Sequence, residues 1–149
     1  MNIEKLLANP RFRWERAPTP DPEVLQSFLR SAPPNLPRTY VRLLQQTNGG
    51  HGPNPFDSGP FSLWPVEEVV RRNERHGLSE RVPGYFGFAD NGGGRIYVFD
   101  LRAPDGAPVC SVAGEPVEGE EPKQLRSSFS EALDPETRLL VGRLALLGG

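Results

Sequence analysis

Asp90 and Asp100 bracket a run of three glycines, Gly92, Gly93 and Gly94, in the stretch YFGFADNGGGRIYVFDLR, residues 85–102. Two carboxylates in such a setting would suit acid–base work or a hard cation, because ionised oxygens accept protons and prefer hard ions. No third acidic residue stands at a recognisable ligand spacing. Their positions point to plainer roles: Asp90 as a turn residue bonding its own backbone, and Asp100 as a strand-end carboxylate satisfied by a neighbouring amide or arginine. The glycines have the composition of a phosphate cradle. Phosphate loops, however, draw their anion affinity from a helix N-terminus, and this run feeds a strand pattern, so a tight hairpin turn is expected.

The remaining reactive side chains are few. His51 and His76 are the two histidines, neither with a cysteine or second histidine at ligand spacing, and no zinc site is predicted. His51 sits in a glycine loop and His76 in the last turn of a predicted helix, where its positive form would suit the dipole; both read as structural or solvent-facing. Cys110, the single cysteine, lies in a predicted strand without a histidine base in any motif beside it. It reads as a small hydrophobe, and no catalytic residue, cofactor site or metal site is predicted. Phe61 and Trp64 have the chemistry of a partner anchor, yet aromatic residues entering a proline-started helix usually fill the core. Glu115, Glu118, Glu120 and Glu121 form an acidic loop. Such runs are commonly a solvated face, but beside a rigid sheet these four, with Asp57, would steer a basic partner.

These groups need a scaffold to hold them. Two runs of aromatic and β-branched residues, Tyr85–Ala89 and Ile96–Leu101, flank the glycine turn and predict a β-hairpin. In the second run Ile96, Val98 and Asp100 alternate with Tyr97, Phe99 and Leu101, so the strand is apolar on nearly both faces and should be central and covered. A turn at Ala103–Ala107 leads to a third strand, Pro108–Val112, which makes an antiparallel meander. Upstream, Asp21 and Pro22 read as N-cap and first residue of a helix to about Arg30, with Val24, Leu25, Phe28 and Leu29 inward. A second helix starts near Pro37, with Tyr40, Leu43, Leu44 and Thr47 on one stripe and Asn48–Gly49 as a left-handed cap. Gly50–Pro60 reads as a loop and Phe61–Trp64 as a short strand. Pro65 starts a third helix with Val66, Val69 and Val70 inward, Glu67, Glu68, Arg71, Arg72 and Glu74 outward, and Gly77 as its stop. Gly114–Lys123 is a polar loop, and Ser128 with Glu131 has the capping-box spacing of a helix beginning near Phe129.

The 149 residues suit one domain, and 36% hydrophobic with 24% charged residues is ordinary for a globular chain. The 17 prolines and 16 glycines predict short elements and many turns. A formal net charge of −2 lacks the basic footprint of nucleic-acid binding. The N-terminal stretch carries Glu4 and Lys5 where a secretory signal would be apolar, and Leu139–Leu147 is too short to span a bilayer and contains Arg143. A soluble cytoplasmic protein without membrane association is expected. Residues 1–21 read as an arm in which Ile3, Leu6 and Leu7 fit a short helix, and residues 22–149 as the domain. Leu140, Leu144 and Leu147 leave the chain as a monomer or a weak dimer.

Three motifs in order resemble the SUKH superfamily, whose members include a fungal regulator of cell-wall synthesis and many bacterial toxin-immunity proteins. The first is Leu36-Pro37 with Tyr40, Leu43, Leu44 and Asn48-Gly49-Gly50. The second is Phe61-Ser62-Leu63-Trp64 running into Val66-Glu67-Glu68-Val69. The third is Phe88-Ala89-Asp90-Asn91-Gly92-Gly93-Gly94 with Tyr97 and Asp100, and a trailing 127–133 segment around Phe129 is similar to the family's last helix start. The family often has an acidic or amide residue just after the glycine triplet, where this chain has Arg95. The resemblance implies an α+β fold, a curved antiparallel sheet with helices packed around it. It also implies binding of a protein partner in place of catalysis; an immunity protein that neutralises a bacterial toxin domain by direct binding is expected, and the alternative is a regulatory or scaffolding module binding a peptide or small ligand in a sheet cleft.

Overall fold

The glycine-centred hairpin is the middle of the sheet in the computed structural model, which describes residues 15–57, 59–102 and 106–129. Its strands are numbered here within the whole chain: β1 is Glu15–Arg16, β2 Gly50–Pro53, β3 Pro60–Leu63, β4 Tyr85–Asp90, β5 Arg95–Asp100, β6 Val109–Ala113 and β7 Lys123–Arg126. The helices are α1 Pro22–Ser31, α2 Arg38–Gln46, α3 Val69–Arg75 and α4 Leu78–Arg81. The seven strands lie in sequence order, each antiparallel to the next. The protein is a single α+β domain.

Turn chemistry closes the hairpin as its composition requires. Asn91 Oδ1 accepts from the amides of Gly93 and Arg95 at 2.8 and 3.0 Å, and Asp90 Oδ1 accepts from Gly92 N at 2.9 Å. The expected two-sided burial of β5 holds: Ile96, Tyr97, Val98 and Phe99 are all buried. Between Gly87 and Ala89 the β4–β5 register slips. The extra residue, Phe88, stacks on Phe99 with centroids 4.0 Å apart and meets Tyr40 of α2 and Phe129 edge-on. On the other face Gly87, paired with Val98, has no room for a side chain, since a Cβ there would lie 2.8 Å from Leu78 of α4 and 3.2 Å from Trp64. Asn73 of α3 supports this slip by accepting from Gly87 N and donating to Gly87 O.

Several expectations need correction. The segment 50–60 is not all loop, because Gly50–Pro53 pairs with Pro60–Leu63 as β2, and Lys123–Arg126 pairs as β7 where a polar loop was expected to end. Both strands have glycine-, proline- or charge-rich sequences that read as loops, and sheet pairing overrides that local preference. α2 ends at Thr47 in extended conformation, not in a left-handed cap at Asn48–Gly49. Thr47 is held there by its own hydroxyl, which donates to Gly49 O and accepts from Ala17 N. Pro37 caps α2 from outside its first turn. Pro65 opens only a helical turn, accepting from Glu68 N and Val69 N, before α3 proper begins. Gly77, at φ +62°, stops α3 as expected and at once begins the unforeseen α4. Asp21 caps α1 through Glu23 N at 2.9 Å. Glu15–Arg16, assigned to the arm, pair as β1 with β2. Phe129 is helical and buried. The short helix at Ile3–Leu7, Glu131 of the capping box and the apolar tail lie outside the described residues.

Tyr40 is wholly buried, and its hydroxyl meets no hydrogen-bond partner among the described residues. Burial drives its ionisation far above the ordinary phenol range. An unsatisfied buried hydroxyl costs about 1–3 kcal/mol. Tyr40→Phe is therefore expected to raise unfolding stability by about 1 kcal/mol, measured by urea titration. A loss of stability would mean that the hydroxyl has a partner in solution.

Candidate functional site

A cleft of about 450 Å³ opens where β2 and β3 meet the start of α3, and Asn48, His51, Ser62, Trp64, Glu68, Arg72 and Asp90 are among its walls. Asn48 builds its floor. Its Oδ1 accepts from Val66 N at 2.8 Å, which satisfies an amide of the turn entering α3, and its Nδ2 donates to both carboxylate oxygens of Glu67 at 2.9 Å. Gly49, at φ +83°, passes so close to β3 that a Cβ would sit 2.7 Å from Leu63 O. The side chain that follows β3 is Trp64, 1% exposed, which donates from Nε1 to Asp90 Oδ2 at 2.8 Å. Trp64 is thus core, as its position predicted, with its one polar atom used to pin Asp90.

Arg72 and Glu68, expected on the outer face of their helix, turn toward the cleft. The Arg72 guanidinium lies 5.3 Å over the Trp64 ring and reaches Glu68 Oε1 at 3.2 Å and Asp90 Oδ2 at 3.4 Å. His76 stacks on that same indole, 6.4 Å between centroids, and its Nδ1 lies 3.1 Å from Gly114 O. His51 is exposed, with Nδ1 2.9 Å from Ser62 Oγ. Asp90 therefore accepts from an indole, an arginine and its own turn, which is an organising carboxylate rather than a free base.

Asp90 and Asp100 do not come together. The β4–β5 register puts Asp90 opposite Ile96 and Asp100 opposite Tyr85, at the two ends of the ladder. Asp100 is instead paired with Arg102, through Nε and the backbone amide at 3.0 Å, and these bonds hold its carboxyl below the ordinary range despite partial burial. A depressed carboxyl contributes stability above its unfolded value, near 3.9, and loses it as pH falls through the folded value. The stability gap between the natural protein and Asp100→Asn is expected to be open at pH 7 and to close as pH drops below about 4, read by urea unfolding at each pH. A gap that stays constant through that range would remove Asp100 from the account. Burial pushes the Cys110 thiol up to about 11, with Asp100 adding to it, so the group is protonated at neutral pH.

The acidic loop between β6 and β7 is two-sided. Glu115, Glu118 and Glu121 are exposed, and between them Val117 is 56% exposed. Glu120 departs from the solvated loop: it turns inward to Arg81 of α4, with Nη2 2.8 and 2.9 Å from its two oxygens, and also accepts from Ala113 N at 3.0 Å. Arg81 in turn donates to the carbonyls of Ala113 and His76 at 2.7 and 3.0 Å. The loop lies beside the glycine turn, since Gly114 N donates to Gly94 O. Asp57 is exposed in the β2–β3 loop, a different loop that Phe56 folds against Phe61, Phe88 and Tyr97.

Of the motif residues, Tyr40, Trp64, Tyr97 and Phe129 are core, Leu36 and Pro37 lead into α2, and Asn48, Gly49 and Gly50 carry the chain from α2 into β2. The amides of Gly92 and Gly93 are spent on Asp90 and Asn91. Asn73 and Arg81 were not singled out from the sequence, and Arg72 and His76 were read there only as an outward charge and a structural or solvent-facing histidine. The only signal was Asn73, a polar residue four after the inward Val69. Among the described residues no helix is long and apolar enough to cross a membrane, and no group of three or more His, Cys, Asp or Glu is placed to hold a metal ion.

Comparison with known families matches residues 19–134 to the SMI1 / KNR4 family (SUKH-1), a span from just before α1 to beyond Phe129. Among curated proteins none matches the chain.

Proposed function

The chain belongs to the SMI1 / KNR4 family (SUKH-1), and from that membership we propose that it is a non-catalytic protein-binding domain, an immunity protein that neutralises a cognate toxin in the cytoplasm by direct binding. The observation that carries this reading is the β6–β7 loop, whose exposed Glu115, Glu118 and Glu121 surround an exposed Val117 while Glu120 ties the loop down from beneath. An apolar contact inside a polar rim is the usual anatomy of an interface, and a loop already held in place loses less freedom on binding. Its negative charge steers a basic partner and excludes others. Asp90 and Arg72 are engaged with each other and with Trp64, which favours recognition over acid–base work. No cofactor enters this reading.

The test is capture. A toxin gene is expected beside the gene for this chain, and the tagged protein should capture the neighbouring gene's product and suppress its activity. Reversal of the loop charges in Glu115→Lys/Glu118→Lys/Glu121→Lys should weaken capture by about tenfold or more, chiefly through slower association and most at low salt. Unchanged capture would remove the loop from the interface, and failure to capture any neighbouring toxin would sink the immunity role. A second reading, a regulatory or scaffolding module binding a peptide or small ligand, is favoured by one observation, the cleft beside Trp64.

A further inference from the structure

We propose that the cleft between β2, β3 and the start of α3 receives one basic side chain, arginine or lysine, of a protein partner; this rests on the protein-binding reading and assigns the chemistry of the contact. Its walls hold three carboxylates, Glu15, Glu68 and Asp90, against one guanidinium, Arg72. Glu68 and Asp90 keep 31% and 27% of their side-chain surface, so an arriving cation reaches carboxylates that are partly desolvated but still accessible. Arg72 neutralises them incompletely. Its contacts of 3.2 and 3.4 Å are longer than the roughly 2.7–2.9 Å of a strong charge-assisted bond; Arg71, 3.3 Å from the same Glu68 oxygen, adds a second cation, but one that is 68% exposed and screened by solvent.

Arg72 also shows what this place accepts. A guanidinium already lies there between two carboxylates and over an aromatic face, the arrangement that recognises arginine in general. The floor is fixed, because Asn48 and Gly49 set the distance between β3 and the turn into α3. The volume, about 450 Å³, is that of a small-ligand cleft and has room for a long side chain beside Arg72. An anionic group would meet three carboxylates against one guanidinium.

The probe is the amide of N-acetylarginine, with the lysine, norleucine and glutamate analogues as comparison, titrated into the full chain while the Trp64 indole N–H resonance is followed. That proton is donated to Asp90 and so reports the cleft; Trp14→Phe identifies the other indole. The expected result is a saturable shift with the arginine and lysine amides and none with norleucine or glutamate. Glu15→Gln/Glu68→Gln should weaken it roughly tenfold, the sum of two partly exposed charge contacts. Ser62→Arg, which fills the cleft from β3, should abolish it and serves if the double variant does not fold. No shift, an equal response to norleucine, a preference for glutamate, or a shift unchanged in both variants would overturn the proposal. The titration contains no toxin, so its outcome is separate from that of the capture experiment.

Discussion

Glu120→Ala is expected to lower unfolding stability by about 3–5 kcal/mol, the usual consequence of removing one partner of a buried ion pair. Arg81 and Glu120 are 12% and 10% exposed, and the contact is two-pronged, with Nη2 at 2.8 and 2.9 Å and Nε at 3.2 Å. Without the carboxylate the guanidinium is left uncompensated and Ala113 N loses its acceptor. Arg81→Ala is expected to cost a similar amount, because Glu120 is then the orphan and the carbonyls of Ala113 and His76 lose a donor. The double variant should be much less destabilised than the sum of the two, since no buried charge remains unpaired. Urea unfolding of the four proteins decides it, and single losses below about 1 kcal/mol would mean the pair is solvated. The loop depends on the same bond. In the single variants the β6–β7 segment should lose amide protection, and under the binding role proposed above capture should weaken as well, with Glu115, Glu118 and Glu121 untouched.

Gly49→Ala is expected to cost about 2–5 kcal/mol, with two separable causes. A side chain at φ +83° is strained by about 1–2 kcal/mol, and the new methyl would approach Leu63 O at 2.7 Å and Pro65 N at 3.0 Å. Neither neighbour is a flexible side-chain end, so β3 or the turn into α3 must move. Gly59 provides the control: its φ is +97° but nothing lies within 4 Å of an added Cβ, so Gly59→Ala should show the strain alone. If the two variants cost the same, the close approach to β3 is absent in solution. The larger cost at Gly49 should be accompanied by a displaced Trp64 indole signal, because Asn48 next to it sets the helix turn on which the cleft is built.

The hairpin around Gly92–Gly94, the cap at Asp21–Pro22 and the stop at Gly77 could be read from residue types because each is decided within a few residues. The alternation of Ile96–Phe99 likewise announced a strand covered on both sides. β2 and β7 escaped notice, since Gly-His-Gly-Pro and Lys-Gln-Leu-Arg have no strand preference of their own and owe their conformation to the neighbours they pair with. The inward turn of Arg72 was hidden for a related reason: on the helix alone it has the spacing of a solvated ion pair with Glu68, and only the return of β4 supplies Asp90.

Sequence alone announced the central ribbon, the capped helices and the buried aromatic residues, since turns, caps and alternation are local physics, and the family resemblance implied the α+β class. Which charges are spent and which remain free was decided by tertiary structure. Arg81 meets Glu120 39 residues away and Trp64 meets Asp90 26 residues away, and such pairings are set by the register and slip of the strands between them. That is why four similar glutamates in one loop became one anchor and three exposed charges.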